Sequence, residues 1–177
     1  MSEEICCAFC GLLDNTKSVL LGEREITVDL IEKKEFDTPS AFWETTRLPE
    51  NTATHELQVL TPTAFKSKGE YVVFPEVRQI VRRLVAKWNT VFPDNALDAE
   101  TVCPALESGL KIRDYNLSTY RFEMKKNKIP GFCGRIILTS SLSSETDALW
   151  RTLLGFACFS GIGIKTALGM GGVKVSV

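Results

Sequence analysis

The densest run of chemically capable residues is Gly161-Ile162-Gly163-Ile164-Lys165-Thr166-Ala167-Leu168-Gly169-Met170-Gly171-Gly172, which holds five of the chain's twelve glycines. Glycines accept positive φ and let the backbone approach a ligand closely. Amides in such a loop bond phosphate oxygens, and Lys165 adds a cation beside them. Gly161, Gly163, Lys165, Thr166, Gly169 and Gly171 are therefore candidate anion contacts; a tight loop whose glycines serve packing alone is the alternative. The loop is not a Walker P-loop. Ile164 stands where Gly-Lys-Ser/Thr needs a glycine, and the segment runs from helix to strand rather than from strand to helix. Lys125, Lys126 and Lys128 form a second cationic group. Arg78, Arg82, Arg83 and Lys87 form a third, spaced four residues apart in two pairs. Either group could contact phosphates or simply face water.

Other reactive side chains point to less. Cys7-x-x-Cys10 has metal-ligand spacing, but a structural zinc needs four N or S ligands and no second close pair follows. The single histidine, His55, is 45 residues away. The six cysteines read as ordinary thiols in a reducing cytosol, with no metal or other cofactor. His55 reads as a solvated linker residue. Tyr71, Tyr115 and Tyr120 read as sheet residues rather than acids.

These groups must be positioned by the surrounding elements. Residues 1–13 suit a short helix or strand, and Lys17 to Lys34 one or two strands, with apolar residues at alternate positions from Glu25 toward Ile31. Residues 36–54, with Pro39, Pro49 and Asn51 and no sustained period, read as an irregular connection. Leu57 to Leu60 is a strand stopped by Pro62, and Glu70 to Phe74 a short extended segment. Pro75 opens a helix whose apolar face is Val77, Ile80, Val81, Leu84, Val85, Trp88 and Phe92. A short helix within 96–108 precedes a long strand from Leu110 to Met124. The lysine-rich tip and a strand from Gly131 to Thr139 follow. Ser144-x-x-Asp147 resembles a capping box at the start of a buried helix. Val173 to Val177 is the last strand. The order strand, helix, strand, strand, helix, strand predicts an α+β, ferredoxin-like (RRM-like) βαββαβ domain with an N-terminal strand-containing extension.

The net charge of −1 conceals an asymmetry. Residues 1–56 hold 12 acidic and 5 basic side chains, and residues 57–177 hold 10 acidic and 16 basic. A basic surface is therefore confined to the second part. No run of about 18 uncharged apolar residues exists, which excludes a membrane-spanning helix.

Phe156-Ala157-Cys158-Phe159-Ser160-Gly161-Ile162-Gly163, leading to Lys165-Thr166-Ala167-Leu168-Gly169-Met170-Gly171, resembles the C-terminal signature of the CRISPR repeat-processing endoribonucleases. These are the sixth Cas protein family, within the RAMP superfamily. Leu60-Thr61-Pro62-Thr63-Ala64-Phe65, Phe74-Pro75 with Leu84 to Asn89, and Gly131-Phe132-Cys133-Gly134 are similar to three further motifs of that family, in the same order. The resemblance implies two ferredoxin-like domains in tandem that bind CRISPR repeat RNA and cut it without a metal, for crRNA maturation in antiviral defence. The 2′-hydroxyl attacks the adjacent phosphate, leaving a cyclic phosphate, and needs a general base, a general acid and a cation. On this pattern residues 57–177 are the second domain, and residues 1–56 are a remnant of the first plus a linker. Most of the first domain, which usually supplies the catalytic histidine, would then be absent, as in a truncated or split gene product or a non-cleaving relative. The expected chain is a cytoplasmic repeat-RNA binder, with Lys125, Lys126, Lys128 and the glycine loop as contacts and the catalytic residues unassigned. Its further partner would be a separate N-terminal domain or a second copy. A non-catalytic structural or dimerising subunit is the alternative.

Overall fold

The computed structural model describes residues 17–21, 24–27, 36, 38–50, 53–124 and 127–176. The chain divides into two compact units, Met1–Asp37 and Thr38–Val177. In the first, β1 (Ser18–Leu21) and β2 (Arg24–Thr27) pair antiparallel, with Ser18 opposite Thr27 and Leu21 opposite Arg24. The strand continuation toward Ile31 and the stretch carrying Cys6, Cys7 and Cys10 lie outside the described residues.

The second unit opens with a helix, α1 (Pro39–Thr46), inside the segment read as an irregular connection. Thr38 caps it by accepting the Ala41 amide at 3.1 Å, and Pro39 occupies the first turn, where its missing N–H costs nothing. Two turns are too short to show a period. The helix is held by packing, with Phe42 buried edge-on to Phe156 and tilted against Phe92.

After α1 come β3 (Thr54–Thr63), the short hairpin β4 (Phe65–Ser67) and β5 (Glu70–Val72), and α2 (Val77–Val91). They are followed by α3 (Ala99–Gly109), β6 (Leu110–Met124), β7 (Asn127–Ser140), α4 (Ser144–Ser160) and β8 (Val173–Ser176). Strands β6, β7, β3 and β8 lie side by side in that order, every neighbour antiparallel. Strand β3, helix α2, strands β6 and β7, helix α4 and strand β8 are the expected βαββαβ fold, with β4, β5 and α3 as additions. One face of the sheet supplies Leu57, Val59, Ile136, Leu138 and Val173 to the core, against Ile80, Leu84 and Trp88 of α2 and Trp150, Leu153 and Ala157 of α4. The alternation of buried and exposed positions along β3 is the period-2 pattern of a sheet buried on one face.

Three local expectations change. Pro75 lies ahead of α2, whose N-cap is Glu76, and is not in its first turn. β3 runs through Pro62 instead of stopping before it, because the pairing with β7 shifts register between Val59 and Thr63. A proline that donates no ladder bond is tolerated at such an irregularity. At the start of α4 the N-cap is Ser143, whose side chain makes no capping bond. Asp147 does not reach back as in a capping box; it accepts from Arg151 Nε at 2.9 Å and Ser140 Oγ at 3.0 Å.

Candidate nucleic-acid interface

α4 ends at Gly161, whose φ of 66° turns the chain out of the helix while its amide still donates to the Ala157 carbonyl. The glycine-rich segment then folds back onto the end of β3. Ile164 N donates to the Ala64 carbonyl at 3.0 Å, Gly171 N to the Pro62 carbonyl at 3.2 Å, and Gly172 N to Thr61 Oγ1 at 2.8 Å. Ile162 N closes the loop on the Gly171 carbonyl at 2.8 Å. A β-carbon on Gly163 would fall on the Ala64 carbonyl, and one on Gly171 on the Ile162 carbonyl. With φ of 76° and 74°, these two positions admit only glycine without displacing backbone. Buried Ile162 and Met170 pin the loop from below.

What remains outward is the arc from Lys165 to Gly169. Lys165 takes a left-handed φ of 53° and starts a 3-10 turn, Thr166–Leu168. Ala167, Leu168 and Gly169 are exposed, and Lys165 and Thr166 are half-buried. Among the described residues, the amides of Lys165, Thr166 and Ala167 meet no protein acceptor, as at any helix start. The structure thus separates the predicted contacts: Gly161, Gly163 and Gly171 build the loop, and Lys165, Thr166 and Gly169 lie on its outer arc.

The other predicted cations have different fates. Lys125 and Lys126 lie outside the described residues. Lys128 stands opposite Glu123 in the β6–β7 ladder, and their side chains pair at 3.0 Å. On α2, Arg82 pairs with Glu107 at 2.8 Å. Lys87, read from sequence as a surface cation, is half-buried and donates to the carbonyls of Ser160 and Gly161 at 3.0 and 2.8 Å. It thereby ties α2 to the first residue of the loop. Burial first, and then the neighbouring Arg83 charge, lower its pKa to about 8. No local signal in the sequence distinguishes this lysine from its neighbours on α2.

His55 is not the solvated linker residue that its flanking sequence suggests. β3 begins at Thr54, and His55 falls on the same inward phase as Leu57 and Val59, opposite Leu138 of β7. It is fully buried, and neither ring nitrogen finds a hydrogen-bond partner among the described residues. Burial lowers its pKa, Asp147 opposes that shift and Arg151 reinforces it. The chain's one histidine therefore cannot touch a bound polymer while the sheet is intact. Among the described residues no group of three or more His, Cys, Asp or Glu side chains is placed to hold a metal, and no helix is long and apolar enough to cross a membrane.

The model of the family "CRISPR-associated endoribonuclease Cas6" matches residues 57–173. The chain belongs to the Cas6 family. It is 36% identical over 115 residues to the Streptococcus thermophilus Cas6, a match covering 65% of this chain and 47% of that protein. A Mycobacterium tuberculosis Cas6 is 32% identical over 123 residues, covering 67% of this chain and 38% of its own length. The matched stretch thus spans less than half the length of these relatives. Among solved structures, a Thermus thermophilus Cas6 superposes with a TM-score of 0.67 at 30% identity, over 76% of this chain and 57% of that one. A Cas6 product complex superposes with a TM-score of 0.77 over 99% of this chain and 74% of that one, a likeness of fold at 23% identity. The Cas6 match takes in the glycine loop, the Trp88-Asn89 turn and Gly131 to Gly134. The turn has a visible purpose. Trp88 Nε1 donates to the Asn95 carbonyl at 3.0 Å, and the Asn89 side chain both donates to and accepts from Leu97, fixing the exit of α2.

Proposed function

We propose that this Cas6 chain binds CRISPR repeat RNA in the cytoplasm for crRNA maturation, and contributes recognition rather than the cleaving base. The outer arc Lys165 to Gly169 and the Lys125, Lys126 and Lys128 tip would contact the RNA backbone. Residues 57–177 would be the second ferredoxin-like domain of the family plan, with a separate N-terminal domain or a second copy of the chain as its further partner. The observation that supports RNA contact most directly is the loop itself. Bonds from Ile164, Gly171 and Gly172 anchor it on either side to the end of β3 and to Ala64, and the arc between them carries Lys165 together with amides that have no protein acceptor among the described residues. Structured RNA is read largely through backbone and shape, which suits such donors. The withdrawal of His55 into the core supports the binding role, because a general base must come within hydrogen-bond reach of the 2′-hydroxyl.

The test is fluorescence anisotropy with a repeat-hairpin RNA and a scrambled hairpin of equal length, titrated with salt. Wild type is expected to prefer the repeat. Lys165→Ala should weaken binding about 3- to 10-fold and flatten the log–log salt slope by about 0.7–0.9, the value for one lost phosphate contact. Equal affinity for both hairpins would refute the reading. A tight dimer in sedimentation, with no salt-dependent RNA binding, would favour a structural subunit instead.

A further inference from the structure

A second cationic feature lies on α2, beyond the glycine loop. Between the β4–β5 hairpin and α2 runs a groove of about 460 Å³, lined by Lys66, Lys68, Arg78, Arg82 and Arg83, with Glu76 as its one carboxylate. Among the described residues, Lys66, Lys68 and Arg78 have no acidic partner. Arg83 makes only a long bond to the Lys66 carbonyl, at 3.4 Å. The groove is therefore not neutralised from within. Lys68 occupies the hairpin turn with a left-handed φ of 48°, where asparagine or glycine is the easier choice. The Gln79 amide oxygen, also at the groove, is buried with no donor among the described residues.

Position argues for the occupant. Lys66 is two residues beyond Ala64, whose carbonyl takes the Ile164 amide of the glycine loop. One turn of α2 separates Arg83 in the groove from Lys87, which holds the loop's first carbonyl. The groove thus starts beside the strand end that takes a loop amide, and one turn of α2 beyond it Lys87 is occupied on the carbonyls where the loop begins. An acidic protein partner is the other candidate, but protein interfaces are depleted in lysine and built around apolar anchors. Here the apolar lining is confined to Phe65 and Ala86, and Phe65 is itself buried in the core. A phosphodiester chain fits better, since its regular charges match cations along a groove and it can extend from one site into the next.

We infer that the groove between the β4–β5 hairpin and α2 binds a single-stranded extension of the same RNA that the glycine loop contacts. The assignment rests on the repeat-RNA reading above and adds the path of the flanking strand. Two RNAs test it: a blunt repeat hairpin and the same hairpin with single-stranded extensions of about eight nucleotides at either end. Wild type is expected to bind the extended RNAs more tightly and with a steeper salt slope. In Lys66→Ala/Lys68→Asn/Arg78→Ala/Arg83→Ala the advantage of the better extension should vanish, a loss of at least tenfold. The salt slope for that RNA should fall by about 2–3, at roughly 0.7 per contact for single strands. Binding of the blunt hairpin should persist. Lys66→Ala/Lys68→Asn alone, on exposed hairpin positions, should lose part of the advantage without disturbing the fold. If wild type prefers repeat over scrambled hairpin but gains nothing from either extension, the groove assignment is overturned while repeat binding stands. The same holds if the fourfold variant binds all these RNAs as wild type does, an outcome that points to an acidic protein. If wild type shows no preference for the repeat, both readings fall together.

Discussion

His55 shows how burial decides the behaviour of one side chain. In the folded chain its pKa lies below the ordinary 6.5, chiefly through desolvation, with Arg151 adding to that and Asp147 opposing it. The unfolded chain takes up a proton near 6.5 that the native core resists. The contribution is thus fully present above that value and is lost as pH falls through the lowered native pKa. Urea midpoints should accordingly fall between pH 7.5 and pH 5. In His55→Leu, which keeps an apolar side chain beside Leu138, that fall should be smaller. An equal fall in both proteins would show that His55 does not set this part of the acid sensitivity. Because the ring is buried, His55→Leu should also leave repeat-RNA affinity within about twofold of wild type.

At the scale of elements, α1 and α4 meet backbone to backbone. A β-carbon on Gly155 of α4 would fall on the Thr46 carbonyl at the end of α1. Gly155→Ala must therefore lift α1, which also carries Phe42 and the Trp43 ring that lies 5.5 Å from Trp88. Overpacking of this kind typically costs about 1–3 kcal/mol. The expected outcome is a lower urea midpoint with a change in tryptophan fluorescence, and an unaltered midpoint would show that the helices have room to separate. The sequence announced neither partner. α1 is two turns long with no period, and Gly155 sits inside a helix whose apolar residues spread over two faces.

For the whole molecule, the charge switch after residue 56 and the start of the packed unit at Thr38 are different boundaries. A fragment beginning at Thr38 should unfold in one cooperative transition. A fragment beginning at residue 57 loses α1 and the first residues of β3, and uncovers Phe92 and Phe156 where Phe42 covered them and Trp88 where Trp43 did. Removing a buried phenylalanine alone costs about 3–5 kcal/mol. The shorter fragment should accordingly melt well below the longer one. Equal melting temperatures would make α1 an ornament and residue 57 the true limit of the domain.

The order and type of the main elements were legible because they rest on local rules. Alternation marked β3, and the 3- and 4-residue spacing of Ile80, Leu84 and Trp88 marked α2. The long polar and apolar mixture from Leu110 to Met124 marked β6. The glycine loop was legible for a similar reason, since five glycines between a helix and a strand demand unusual backbone wherever they fold. What each loop residue does was not legible. Gly163 and Gly171 are required by carbonyls of Ala64 and Ile162, and the first of these lies about a hundred residues away along the chain. Lys87 and Arg83 have the same charge, similar flanks and similar half-burial, yet one is bonded to the carbonyls of Ser160 and Gly161 and the other lines an open groove. His55 looked like a linker residue because its inward phase exists only once β3 pairs with β7. Composition and periodicity thus determined which elements form. The tertiary structure alone decided which charges are buried and which face solvent, because desolvation depends on neighbours brought together from distant parts of the chain.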